Sequence, residues 1–207
     1  MKWARIFFLV GGGLFLLISL TISGNGHWIR FSQLKAATFD RFGWSPTWSD
    51  TLGKVRREYP EVPQLSTASL SAWLAGPVPF PILLDVRTPE EFAVSHLLGD
   101  NRALTLAEAN ITLEGKNRDL PIVVYCSVGY RSSRLARELR QAGWKKVWNL
   151  EGSLFAWANE GRPLYRTISS SSKAEFSNAS PTKVLVAHPF DDTWGKLLKA
   201  NLHQSAP

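Results

Sequence analysis

Residues 122–137 read IVVYCSVGYRSSRLAR, and the architecture of the chain follows from how that stretch divides. Ile122 to Tyr125 is a β-branched and aromatic run of the kind that forms a strand. It leads straight into Cys126, the single cysteine of the chain. From there Leu135, Leu139 and Ala142 recur at helical spacing, Arg134, Arg137, Glu138 and Arg140 take the other face, and Gly143 supplies the stop. The order is strand, loop, helix, with Ser127 to Tyr130 as the loop and Arg131 closing it. A loop wrapped between a strand end and a helix start turns free backbone N–H groups inward, and the helix dipole adds positive partial charge there. A thiol so placed, with Arg131 beside it, ionises below its ordinary value of roughly 8.5. Gly129 allows the tight turn without a Cβ clash. A small buried hydrophobe at a strand end is the plainer role for a cysteine, but it leaves the glycine, the arginine and the helix start at their offsets unexplained.

Composition sets bounds on the rest. The 207 residues leave room for one full domain and appendages, and the 44% hydrophobic content supports a core. One cysteine permits no internal disulfide. A formal charge of +7 suits an acidic lipid surface or a small anionic substrate. Lysine and arginine are scattered without a dense basic block, so nucleic acid is not the expected partner.

Lys2 and Arg5 precede an uncharged run whose apolar heart, Ile6 to Ile22, is IFFLVGGGLFLLISLTI. As a helix it would span roughly 25 Å, at the short end of what a bilayer requires. A cleaved signal peptide has a shorter apolar region ending at an Ala-x-Ala-like site. The length here, and the ISGNGHW that follows, favour an uncleaved single-pass anchor through residues 6–22. The flanking charges are nearly balanced, and Lys2 and Arg5 slightly favour a cytoplasmic amino terminus, with the domain on the non-cytoplasmic side. Next comes HWIRFSQLKAATFDRFGWSPTW, either an interfacial segment with Trp28, Trp44 and Trp48 at headgroup level or an amphipathic helix packed on the domain.

Strand and helix signals then alternate. Val62 to Leu65 reads as an edge strand, Thr67 to Ala75 as a helix and Ile82 to Val86 as a second strand. Thr88, Pro89 and Glu91 supply N-cap, first-turn proline and capping-box acid, a pattern that Thr105 and Glu108 repeat. Val147 to Leu150 is a further strand and Ser153 to Glu160 a helix ended by Gly161 and Pro163. Such alternation predicts an α/β fold with a mostly parallel sheet and helices on both faces. Ligands bind such sheets beyond the carboxyl ends of the strands, where both Cys126 and Asp85 fall. After Arg166 the chain turns Ser-rich, TISSSSKAEFSNASPTK, a linker composition. The last stretch, VLVAHPFDDTWGKLLKANLH, is apolar again and reads either as a strand and short helix docked on the domain or as a loosely held tail, with His188 a structural residue rather than a ligand.

The stretch CSVGYRS resembles the active-site loop of rhodanese-like sulfurtransferases, in which Cys, two residues, Gly, one residue and Arg precede a Ser or Thr that opens a helix. LLDVRTPEEF (Leu83 to Phe92) is similar to the family's Asp-Val-Arg strand and acidic helix, SHLLG (Ser95 to Gly99) to its Gly-His-Ile-Pro-Gly turn, and VWNLEGSLFAWANEGRPL (Val147 to Leu164) to its closing strand, turn and last helix. Ser95 stands where the family usually has Gly, and Asp100 where it has a small residue.

The resemblance implies a rhodanese-like three-layer fold over 59–166; around it, hydropathy and composition mark 1–27 as an anchor or signal segment, 28–58 as a juxtamembrane amphipathic segment, 167–182 as a linker and 183–207 as a C-terminal segment. The resemblance further implies a persulfide-forming enzyme that needs no cofactor or metal. Cys126 and Arg131 would be catalytic, Ser127, Val128, Gly129, Tyr130 and Arg87 would bind substrate, and Asp85 would be a positioning residue, unless Asp85 and Arg87 form a plain surface salt bridge. The sulfane sulfur of thiosulfate or a related small anion would pass to a thiol or other thiophilic acceptor. The alternative is a non-catalytic rhodanese-like interaction module at the membrane, against which the presence of Cys126 argues. Cysteine phosphatases of the cell-cycle type carry five residues between Cys and Arg; this loop carries four, a ring too tight for a phosphate tetrahedron.

Overall fold

A computed structural model describes residues 45–77, 79–167 and 181–206. Its elements in chain order are α1 (Trp48–Glu58), β1 (Gln64–Leu65), α2 (Thr67–Ala75), β2 (Ile82–Asp85), α3 (Pro89–Val94), β3 (Asp100–Arg102), α4 (Leu106–Thr112), β4 (Ile122–Tyr125), α5 (Tyr130–Gln141), β5 (Val147–Leu150), α6 (Ser153–Asn159), β6 (Leu164–Arg166) and β7 (Thr182–Val184). Two 3₁₀ turns, Trp194–Leu197 and Ala200–Leu202, follow.

Five strands form a wholly parallel sheet in the order β1-β5-β4-β2-β3. In β2 and β4 the side chains alternate between the two faces, as a strand requires. Leu84, Ile122 and Val124 join Leu135 and Leu139 of α5 and Ala109 of α4 in one core. Leu83, Val123 and Tyr125 join Leu70 of α2 and Leu154 and Phe155 of α6 in the other. All four residues of β4 are buried, because helices cover the sheet on both sides. The three-layer α/β arrangement expected from the alternation is thus present. β3, a polar Asp-Asn-Arg run, carries no strand signal and exists because β2 offers it a parallel edge.

The caps show how locally the helices are specified. Thr88 Oγ1 accepts the Glu91 N–H and the Glu91 carboxylate accepts the Thr88 N–H, the full reciprocal box read from the sequence. At α4 the box is only half made: Thr105 accepts the Glu108 N–H, but the Glu108 carboxylate takes the N–H of Leu104 instead.

The packed unit begins before residue 59. α1 is capped by Thr47, sets Trp48 against Gly152 and the second core, and pairs Arg56 with Glu151. Trp48 is thus the first residue of α1 and packs on the domain. The expected span, Ile6 to Ile22, with Trp28 and Trp44, lies outside the described residues, as do residues 168–180 of the linker. Among the described residues no helix is long and apolar enough to cross a membrane.

The C-terminal segment is docked rather than loose. β7 pairs antiparallel with β6, Leu197 and Leu198 enter the second core, and Asn159 at the end of α6 binds both Leu197 O and the Lys199 N–H. Its amphipathic content, visible in the sequence, is spent on this contact.

Candidate active site

Cys126 follows the last residue of β4, at the carboxyl edge of the sheet, and is 1% exposed. The loop from Ser127 to Gly129 is shaped by the start of α6. The N–H groups of Leu154 and Phe155 take the carbonyls of Cys126 and Ser127 at 3.1 and 3.0 Å, and Ser153 Oγ accepts the Cys126 N–H at 3.2 Å. The carbonyls of Cys126 and Ser127 are thus drawn to that helix. The Gly129 N–H points to Cys126 Sγ at 3.1 Å, and the Ser132 N–H also supports the sulfur. Among the described residues the amides of Ser127, Val128, Tyr130 and Arg131 have no acceptor in the protein. Unpaired amides at the start of a helix are the kind of group that can bind an anion.

Gly129 sits at φ +106, and a Cβ there would lie 3.2 Å from Asn149 Nδ2. Gly129→Ala is therefore expected to cost roughly 1–3 kcal/mol of stability and to displace the N–H that faces the sulfur; thermal melting and thiol alkylation rates on the one variant check both effects. Ser132 Oγ stands 3.4 Å from the sulfur and 2.6 Å from Asn149 Oδ1, so its one proton serves one partner at a time.

Burial pushes the Cys126 thiol up, but the Arg131 guanidinium and the hydrogen bonds from Ser132 and Gly129 outweigh it and hold the thiol below its usual range. Arg131 is itself fastened. Its two terminal nitrogens bind the two oxygens of Glu91, each at 2.8 Å, and Nη2 reaches Ser127 Oγ at 3.0 Å. Ser127 in turn donates to Glu91 Oε1 at 2.6 Å. Burial alone would raise the Glu91 carboxyl; Arg131, then Ser127 and the Thr88 N–H, pull it down to about 2.

Glu91 is the site residue that the sequence reading missed. Its capping pattern was visible, but its bond to a residue forty positions away arises only when α3 is laid beside the loop.

Asp85 and Arg87 are not a surface pair: both are fully buried, with Arg87 Nη2 on Asp85 Oδ2 at 2.6 Å. Arg87 also binds the carbonyls of Glu91 and Ser95 at 3.3 and 2.6 Å. Arg87, expected to bind substrate, instead directs these hydrogen bonds to the protein itself. Its guanidinium is enclosed in protein, and it clamps α3, and so Glu91, to the end of β2. Ser95, the departure in the turn, contributes its carbonyl to that clamp, while its hydroxyl has no partner among the described residues. Tyr130 also differs from expectation. Its ring packs edge-on against Tyr59 at 5.5 Å and its hydroxyl donates to Glu58, so only its backbone faces the loop. Ser127 and Val128 are buried, at 3% and 7% exposure.

A second residue outside the expected set reaches the loop. Phe190, from the C-terminal segment, lies with its ring 4.7 Å from the Arg131 guanidinium carbon.

The model of the Rhodanese-like domain family matches residues 66–160. A sulfurtransferase from Allochromatium vinosum is 34% identical over 103 residues, which cover 50% of this chain and 94% of that protein. The chain belongs to the rhodanese-like domain family. The thiosulfate sulfurtransferase GlpE of Pseudomonas aeruginosa is 31% identical over 93 residues, 45% of this rhodanese-like chain and 80% of the relative. A rhodanese-like domain protein from Staphylococcus aureus superimposes with a TM-score of 0.45 at 25% identity, covering 52% of this chain and all of that one. α1 and the segment carrying Phe190 lie outside the matched residues.

Proposed function

We propose that the chain is a sulfurtransferase that moves a sulfane sulfur to a thiophilic acceptor through a persulfide on Cys126. The observation that carries this reading is a buried thiol held below its usual range by Arg131 and by hydrogen bonds from Ser132 and the Gly129 N–H, with Arg131 fixed alongside by Glu91. The Cys126 thiolate attacks the outer sulfur of a donor. A new S–S bond forms, the donor's own S–S bond breaks, and sulfite leaves from thiosulfate, or a thiolate from a persulfide. The terminal sulfur of the persulfide then carries the negative charge, and the amides of Val128, Gly129, Tyr130 and Arg131 donate hydrogen bonds to it as it arrives. A thiolate or cyanide attacks that terminal sulfur, and the electrons of the broken bond return to Cys126. The apolar run 6–22 would hold this exchange at a membrane.

The test is mass spectrometry of the intact chain after exposure to a sulfane donor. One added sulfur is expected on Cys126, removed by cyanide as thiocyanate. Alkylation of the free enzyme across pH is expected to show a midpoint below that of an ordinary thiol. A midpoint at or above the ordinary value, with no sulfur loaded by any donor, would leave a non-catalytic module as the better reading.

A further inference from the structure

The surroundings of Arg131 carry information about the donor. Its in-plane edge is occupied by Glu91 and Ser127, so its charge is already met by a carboxylate and shared with the Cys126 sulfur. Phe190 covers a face of the same guanidinium. The loop side chains Ser127, Val128, Gly129 and Tyr130 bring no further positive charge, and Arg87 is bound to Asp85 inside the protein.

Phe190 holds this place at a cost. It sits at φ +70, with the Asp191 N–H bonded to Pro189 O across it at 2.9 Å: a γ-turn of the rare positive-φ kind centred on a bulky aromatic residue. The His188 imidazole accepts the Phe190 N–H at 3.0 Å and so holds the turn. The segment around it is anchored, since Ala187 is bonded to Leu202 and Gln204, and Leu197 and Leu198 are buried. Backbone strain persists only where its surroundings over-determine it. Here it presents a ring, still 41% exposed, to the charged residue of the loop.

We propose that Phe190 is a specificity-determining residue that selects sulfane donors with an apolar carrier and a single negative charge, organic persulfides or thiosulfonates, over the compact dianion thiosulfate. The inference rests on sulfur transfer at Cys126 and names its donor class. A dianion entering beside a thiolate and Glu91 finds no unmatched cation in the loop, whereas an apolar carrier finds the exposed Phe190 ring. The step balances in the same way for each donor. For a thiosulfonate, the Cys126 thiolate takes the terminal sulfur, the donor S–S bond breaks, and a sulfinate leaves with the electron pair.

The experiment uses the full chain with three donors, thiosulfate, methanethiosulfonate and benzenethiosulfonate, and cyanide as acceptor. Comparing each donor between wild type and variant cancels its intrinsic reactivity. For Phe190→Ala, kcat/KM with benzenethiosulfonate relative to thiosulfate is expected to fall about three- to fivefold, the size of an exposed ring contact, chiefly through KM. Methanethiosulfonate should shift less, and Phe190→Leu should lie between Ala and wild type. Melting curves establish that both variants are folded. A donor ratio unchanged in Phe190→Ala, with Cys126 still loaded by every donor, overturns the inference and leaves sulfur transfer standing. Failure of all three donors to place sulfur on Cys126 removes the enzyme reading, and the inference with it.

Discussion

Cys126→Ser is expected to lower sulfur-transfer turnover by on the order of 10⁴-fold or more, because in the proposed mechanism it removes the atom that carries the sulfur. A serine hydroxyl fits the same space and can accept the Gly129 N–H that now meets Sγ. Its proton is held far too tightly for Arg131 and the loop amides to draw off at neutral pH, so the nucleophile is lost while the cradle remains. Folding should change little, by about 1 kcal/mol or less, since the buried hydroxyl keeps partners in Gly129 and Ser132. Steady-state kinetics with a sulfane donor, read beside thermal melting of the same sample, separates the two quantities. Turnover that survives in a folded Cys126→Ser protein would place the sulfur carrier elsewhere.

Glu91→Gln should have the largest effect on stability. The carboxylate is 2% exposed and meets Arg131 through both oxygens. Taking one partner from a buried ion pair typically costs about 3–5 kcal/mol. Arg131 keeps 30% of its side chain in solvent, so a loss of roughly 2–3 kcal/mol, or about 5–10 °C in melting temperature, is the expectation. The pH dependence follows from the same pair. The folded carboxyl titrates at about 2 against an ordinary 4.5, so its contribution is complete above the ordinary value and is lost as the pH falls toward the folded one. Wild-type stability should therefore decline through that acid window, and the Gln variant should decline less there. With Glu91 neutral, the charge of Arg131 falls more fully on Cys126, and alkylation should report a thiol still more easily ionised. Identical acid limbs for the two proteins, or an unchanged thiol midpoint, would show that the Glu91 pair does not govern the loop.

These two residues also mark the limit of sequence reading. Cys126 was identifiable because everything that shapes its environment lies within a few positions: the strand of Ile122 to Tyr125, the glycine whose φ is positive, and a helix beginning at Tyr130. The same is true of α3, whose cap depends on Thr88, Pro89 and Glu91 alone. Glu91 and Phe190 act on Arg131 across forty and fifty-nine positions, and no local pattern encodes such meetings. Arg87 shows the converse. The family resemblance of its strand implied a substrate contact, but it is enclosed as the clamp between β2 and α3.

The amino-acid sequence by itself determined the alternation of strands and helices, the caps, and the position of one thiol at a strand-to-helix turn, because each depends on backbone preferences and side chains near in the chain. Only the tertiary structure decided which charges meet beside that thiol. It paired Glu91 with Arg131, buried Arg87 on Asp85, made a strand of the polar residues Asp100–Arg102, and brought a C-terminal phenylalanine over the loop. The physical reason is that a charge–charge or ring contact is set by how elements pack, and packing is a property of the whole core rather than of any stretch within it.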